Sequence, residues 1–515
     1  MNAGAVVIDH MAVKPPNPHL SKGRFLAGLQ CPRRLWQLCR TPEAVPPAGA
    51  ALEALFAAGH EVGRLARLAF PGGVLVEEVG GFSRAARVTR RLIGDGGRTM
   101  IGVPAVLFEA AFAFEDVLVR TDILQRRNDG RWRLIEVKAS LDLKEHHVAD
   151  LAVQRHVLEG CGLEVPEACL MHLNRDYVYN GHDHRLDDLF VIEDVSDRVL
   201  AFQGRLPERL AEQRAVLAAG APPEVEPGSR CTNPFGCEFR PLCNPERPDH
   251  HPALLPRVGS EALGRLAALG IHSVADIPLD FPLSEVQHRA RRAMLEGGAV
   301  VEPDVRDELA ALAWPRWFMD FETSNPPVPR HRAMRPYEMI PFQWSLHRQA
   351  GPGAPLEHFE FLGEGAGDPR HRFARSLLEA VRRDRGPVVV YNAPFERGRL
   401  DDLGRWLPDL APALGRVAGR LWDLLPVIRR HVYHPAFRGS FSLKRVLPAL
   451  LPGQGYDGMA VADGGEASAA WEQLAAGRLS GREEQRLRLA LLDYCRQDTL
   501  AMVDLLAFLE SEVRG

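Results

Sequence analysis

The sequence holds no apolar run long enough to span a bilayer, and its N-terminal stretch lacks the charged-then-apolar pattern of a secretion signal. A membrane protein is therefore not expected, and the cytoplasm is the expected compartment. Neither charge is in excess: 63 Lys and Arg against 67 Asp and Glu leave a formal net charge of −4. Such a chain has no whole-molecule basic field, so a nucleic-acid partner must be held by local basic patches or bridging metals. Cysteine is scarce, at 8 residues of 515. In a reducing compartment these thiols stay free, and clusters among them point to metal rather than disulfides. The opening stretch, with Pro15-Pro16-Asn17-Pro18, reads as a frayed tail.

At this length the chain is expected to hold several domains, taking roughly 150 residues for each. The first part, residues 1–250, opens with a helical pattern from Ser21 carrying Leu26, Leu29 and Leu35, and residues 51–68 form another. Residues 107–114, 117–124 and 132–137 read as strands, with Asn128-Asp129-Gly130 as a turn, before a helix over 151–158. Asp122 ends one strand and Glu136-Val137-Lys138 ends the next. Glu136 and Lys138 share a strand face, and a hairpin can set Asp122 beside them. Two carboxylates there can hold Mg²⁺ or Mn²⁺ through oxygen, and the lysine can orient or activate a water. Ordinary charges on a surface strand would read the same way, since Glu-x-Lys is common.

Cys231, Cys237 and Cys243 stand at equal six-residue steps in a stretch rich in turn formers. Free cysteines pack as small hydrophobes, yet three in one Pro/Gly-bearing loop fit metal ligation better. Three ligands want a fourth, and Cys31 is the candidate. Spacing alone leaves zinc and an iron–sulphur cluster open, because both accept four thiolates. Cys39, Cys161, Cys169 and Cys495 have no such pattern and read as packing residues.

Residues 251–312 read as a helical connector. Within them, 263–278 has a helix, a turn at Gly270 and a second short helix, similar to a helix-hairpin-helix whose turn amides contact backbone phosphate. A plain helical spacer accounts for the same text. The last part, residues 313–515, starts with the run Trp317-Phe318-Met319-Asp320-Phe321-Glu322-Thr323. On a strand, Asp320 and Glu322 project the same way, and a divalent cation makes such a pair tolerable out of water. Strands over 342–347 and 357–362, a helix over 372–383 and a buried strand over 387–392 follow. Asn392 ends that strand, and Glu396 lies where the next helix opens. In the final helix Tyr494 and Asp498 are four apart and share one face. This element order is that of an RNase-H-like fold. Residues 429–445 interleave basic and aromatic side chains, Arg438 and Lys444 among them, as a platform for single strands or a solvated loop.

Residues 119–124 and 134–138, with Gln154 on the following helix, resemble the RecB-like branch of PD-(D/E)XK nucleases. The resemblance implies a restriction-endonuclease-like domain in which Asp122 and Glu136 bind metal and Lys138 is catalytic. It makes Gln154 the glutamine of the next helix and His60 a metal-binding histidine, as in CRISPR-associated members. The tyrosine often found soon after that glutamine is missing. One cysteine before this core and three after it match RecB-like nucleases with an iron–sulphur staple. Cys31, Cys231, Cys237 and Cys243 would then hold a four-iron, four-sulphur cluster, with zinc the alternative occupant.

The last part resembles DnaQ-like, or DEDD, exonucleases of the tyrosine subtype. By that resemblance Asp320, Glu322, Glu396 and Asp498 hold two divalent ions, Mg²⁺ or Mn²⁺. One ion activates water, the other stabilises the leaving 3′ oxygen, and Tyr494 positions the water. Glu396 stands where aspartate is usual, and its extra methylene could shift one ion. Asn392, Arg438 and Lys444 are the candidate nucleic-acid contacts. The whole chain is similar to bacterial RecB-like predicted nucleases with a DnaQ-like C-terminal region. The expected fold is α/β and multidomain: a restriction-endonuclease-like domain, a connector, and an RNase-H-like domain with a mixed sheet flanked by helices. The implied function is a metal-dependent nuclease with two active sites, acting on DNA ends or single strands in repair, recombination or defence. The alternatives are a nucleic-acid-binding scaffold with one or both sites inactive, and an RNA exonuclease using only the C-terminal site.

Overall fold

Two mixed sheets, each with its own helices and core, organise the protein. The computed structural model describes residues 19–77, 80–94, 104–243, 248–365 and 367–513; the opening stretch with Pro15-Pro16-Asn17-Pro18 lies outside them. The chain divides into two compact units. One comprises the segment ending at Pro47 with Glu61–Asn174 and Arg185–Pro245; the other comprises Ala48–His60, Arg175–His184 and Glu246–Gly515. The class is mixed α/β. Among the described residues, no helix is long and apolar enough to cross a membrane.

The first unit contains β1 (Leu20–Ser21), β2 (Val74–Leu75), β3 (Val106–Phe114), β4 (Val117–Arg126), β5 (Trp132–Lys138), β6 (Glu167–Leu173) and β7 (Phe190–Asp194). The sheet runs β2-β3-β4-β5-β6-β7, with β1 paired to β4. β3, β4 and β5 are antiparallel neighbours, and β6 joins β5 in parallel. The helix Glu145–Gly160 buries ten of its residues, among them Val148, Leu151, Ala152 and Leu158, against this sheet. The helical pattern from Ser21 is broken at Cys31 into Lys22–Gln30 and Pro32–Arg40. Cys31 is extended, and Pro32 starts the second helix, as proline does at a first turn.

The second unit contains β8 (Val300–Val301), β9 (Arg316–Ser324), β10 (Ile340–Gln349), β11 (Leu356–Leu362), β12 (Val388–Val390), β13 (Leu421–Asp423) and β14 (Val432–Tyr433). Its main sheet runs β11-β10-β9-β12-β13. The β9–β10 and β10–β11 pairs are antiparallel, whereas β12 lies parallel to both β9 and β13. The stretch expected to be a connector belongs to this core: Leu254, Leu266, Val274, Ile277 and Met294 are buried with Phe318. Its hairpin is not two helices. Ser260–Ala268 is helical and Gly270 takes φ +72°, but the second arm is a single 3₁₀ turn, Val274–Asp276. Pro278 and the buried Val274 and Ile277 explain this, since the apolar residues go inward before a helix can propagate.

Candidate functional site

In the second unit the alternation of β9 decides where its carboxylates go. Trp317, Met319 and Phe321 enter a core on one side of the sheet. Asp320 and Glu322 therefore share the other side with Phe318, which packs in the second core. After β12, Asn392 takes φ 104° and turns the chain into the helix Ala393–Trp406. Asp423 fixes that first turn by accepting from the N–H groups of Asn392 at 3.0 Å and Ala393 at 2.9 Å. Glu396, in the same turn, is 2% exposed. The helix Gly481–Glu512 is anchored over this side of the sheet. Thr499 Oγ1 meets Ser345 Oγ and His347 Nδ1, each at 2.8 Å, and Ser345 pairs across the ladder with Asp320. That anchor brings Asp498 and Tyr494, one turn apart, to the carboxylates of β9.

Glu322, Glu396 and Asp498 are thus buried close enough to the partly buried Asp320 to act on it; Lys444 acts on Glu322 and Asp498, and Arg399 on Glu396. Burial, followed by the charges of Asp498, Glu322 and Glu396, raises Asp320 well above the usual carboxylate range. Burial and Asp498 do the same to Glu322, against Lys444. Burial pushes Glu396 up to about 8, and Asp498 up to about 6 despite opposition from Tyr456 and Lys444. Glu396 Oε2 is buried without a hydrogen-bond partner among the described residues. Tyr456 donates its hydroxyl to Asp498 Oδ1. Lys444 Nζ donates to Tyr494 Oη at 2.9 Å and lies 4.7 Å from that ring's centroid. Burial and Asp498 raise both tyrosines above their ordinary range, so both hydroxyls stay protonated. Carboxylates gathered in this way can hold divalent cations through oxygen.

The first unit gathers a different set. Glu136 Oε1 accepts from Lys138 Nζ at 2.6 Å and Lys22 Nζ at 2.8 Å, and its Oε2 accepts from Gln154 Nε2 at 2.7 Å. Asp150 accepts from Lys138 at 2.7 Å and Gln154 at 2.9 Å. Asp122 Oδ2 accepts from the backbone N–H of Val137 at 2.7 Å. Burial and Asp122 work to raise Glu136, but Lys138 and Lys22 outweigh them and hold it below its usual range. Burial opposes the charges of Lys138 and Lys22, yet Asp150, Glu136 and Asp122 outweigh it and raise both. Here the carboxylates carry their own counter-charges.

The four patterned cysteines line one pocket, with Arg33, Arg34, Arg230 and Arg240 around it. Cys31 lies at the junction of two helices, Cys231 ends a 3₁₀ turn and Cys243 ends the short helix Arg240–Cys243. Gln30 Nε2 holds the loop by donating to Arg230 O at 2.6 Å and Phe235 O at 2.7 Å. Burial raises the thiols of Cys237 and Cys243, and Cys31 adds to both shifts. All four are free thiols. No three of them bring their sulphurs within 4.8 Å of one another.

The other expected residues are placed as follows. His60 is exposed on the helix Ala50–Leu68. Asn392 is exposed at the turn it forms. Arg438, expected on a single-strand platform, bonds Asp249 at 3.0 Å on the surface. Lys444, expected there too, faces Tyr494 instead. The interleaved aromatics do not form a platform: Tyr433 and Phe437 are fully buried, because burying a ring gains more than exposing it. Lys22, Asp150, Tyr456 and Cys495 were missed as site residues. Asp150 had a signal, being four residues before Gln154 on one helix. Cys495, expected to be a packing residue, is buried but lies 3.7 Å from Asp320 Oδ2. Cys161, also expected to pack, is exposed.

Residues 317–442 match the family described as a domain of unknown function, DUF2779. The match spans Asp320, Glu322, Asn392 and Glu396, and stops before Lys444, Tyr494 and Asp498. No curated protein matches. A solved structure titled "Crystal structure of SSO0001" aligns over 45% of this chain and 87% of its own, at 16% identity and a TM-score of 0.22.

Proposed function

We propose that this chain is a divalent-metal-dependent nuclease whose principal catalytic centre is the carboxylate cluster of the second unit. One observation carries this reading: Glu322, Glu396 and Asp498 are buried and act on the partly buried Asp320, with Lys444 countering Glu322 and Asp498 and Arg399 countering Glu396. The sheet order, with three antiparallel strands followed by two parallel ones, supports an RNase-H-like reading. Tyr494 one turn before Asp498 supports the tyrosine subtype of the DnaQ-like exonucleases. Divalent ions bound there would activate water and stabilise charge on the leaving 3′ oxygen. The carboxylates would fix those ions. Tyr494, held protonated by burial and Asp498 and oriented by Lys444, would position the attacking water by a hydrogen bond.

The grouping of Asp122, Glu136, Lys138 and Gln154 supports a RecB-like site in the first unit. A binding rather than cleaving role there is favoured by Glu136, both of whose oxygens are already engaged by lysines and Gln154. The cysteine pocket suits either zinc or a four-iron, four-sulphur cluster, and the resemblance to RecB-like nucleases with an iron–sulphur staple favours the cluster. Arg34 beside Cys237 and Arg33 beside Cys243 oppose the rise that burial imposes on those two thiols. Such a cluster would tie the helix junction at Cys31 to the loop 231–243 and need do no redox chemistry.

The proposed substrate is DNA, at ends or in single strands. Purified protein with Mg²⁺ or Mn²⁺ is expected to shorten end-labelled single-stranded DNA, with less effect on RNA. Single- and double-stranded DNA and RNA all left intact with either ion would end this reading.

A further inference from the structure

The thiol of Cys495 has no place in a site built only of oxygen ligands. It is fully buried, and its Sγ lies 3.7 Å from Asp320 Oδ2. A carboxylate oxygen from each of Asp320 and Glu322 lies with that sulphur inside 4.8 Å. Ligand atoms sharing one ion at about 2.0–2.3 Å sit roughly 3–4 Å apart, and the 3.7 Å from Cys495 Sγ to Asp320 Oδ2 falls in that range. A second, independent feature lies within electrostatic reach of Asp320. Glu396 Oε2 is buried and unpartnered, and its carboxylate is near enough to Asp320 to raise it. An orphaned buried carboxylate oxygen is costly, and a cation relieves it.

Resting on the metal-site reading above, we propose that Cys495 is a ligand at one of the two metal positions, and that it biases this position toward zinc-class ions over Mg²⁺. Carboxylate and water suit Mg²⁺ and Mn²⁺, whereas a thiolate favours softer ions such as Zn²⁺. On binding, the thiol proton passes to solvent and a sulphur–metal bond forms in its place, without any change of oxidation state. The two positions are therefore unlike. One is bounded by Asp320, Glu322 and Cys495, and the other is served by carboxylate oxygen alone.

Co²⁺ is the probe, because a cobalt–thiolate bond has its own charge-transfer absorption in the near ultraviolet. Full-length protein and its Cys495→Ser variant, both retaining the four-cysteine pocket, are compared as difference spectra before and after Co²⁺ addition. Both proteins carry the pocket's contribution, and the wild-type protein is expected to show additional absorption that the variant lacks. Zn²⁺ affinity, measured by competition against Co²⁺, should fall at least about tenfold in the variant, with Mg²⁺ affinity little changed. Identical difference spectra and unchanged Zn²⁺ affinity would overturn the assignment. Cys495→Ala gives the same comparison if the serine variant does not fold. Because the spectra report binding rather than cleavage, absorption lost on substituting Cys495 in a protein that cuts nothing would sink the nuclease reading and leave this ligand standing.

Discussion

Replacing Asp320 by asparagine is expected to cut nuclease activity by about a thousandfold or more while leaving the metal-free fold at least as stable. The activity loss follows from the position of Asp320, whose neighbours Asp498, Glu322 and Glu396 all act on it electrostatically. A metal's share of transition-state stabilisation is several kcal/mol, and each ~1.4 kcal/mol is tenfold in rate. The stability effect has the opposite sign because asparagine replaces a carboxyl whose ionised form burial and three carboxylate neighbours disfavour. Asparagine keeps the volume of aspartate, so no cavity is opened. The check is an end-labelled digestion series with Mn²⁺, run beside a thermal melt in chelator. Lys138→Met, made in parallel, assigns the first unit. Activity that survives Lys138→Met but not Asp320→Asn places cleavage in the second unit. The reverse pattern moves it to the first.

Metal-free protein should lose stability as pH rises from about 4 to 8, and bound metal should abolish that loss. Glu396 is pushed to about 8 and Asp498 to about 6 in the folded chain, both above the values they take when unfolded. The native state therefore keeps protons that the unfolded state has released. The stability linked to them is present below the unfolded values and disappears as pH climbs through the folded ones. Each retained proton contributes a slope on the order of 1.4 kcal/mol per pH unit, so the combined effect reaches several kcal/mol. Six of the eight tryptophans lie in the second unit, so intrinsic fluorescence reports its unfolding. In chelator the midpoint should fall between pH 5.5 and 8.5, whereas with Mn²⁺ it should hold. A flat profile in chelator would mean that these carboxylates are already neutralised by protein groups.

The two acidic clusters show which parts of a site can be read from a chain. Asp320 and Glu322 were readable because a strand alternates with period two, and Tyr494 and Asp498 because a helix repeats near four. The cysteines were readable because their spacing is regular and their setting is poor in core residues. What escaped depends on distance in space between residues far apart in sequence. Lys22 reaches Glu136 across 114 positions, and Tyr456 reaches Asp498 across 42. No periodicity announces such pairs. The stretch 429–445 misled for a related reason: alternating basic and aromatic residues look alike in sequence whether the rings face solvent or the core. The depth of the second core, not the local text, buries Tyr433 and Phe437 and turns Lys444 toward Tyr494.

The central claim, that the second unit's carboxylates are a two-metal site, is tested most directly by crystals soaked in Mn²⁺ and measured for anomalous scattering. Two peaks about 3.5–4 Å apart are expected, bounded by Asp320, Glu322, Glu396 and Asp498. Crystals that diffract well but show no manganese among these four side chains would contradict it.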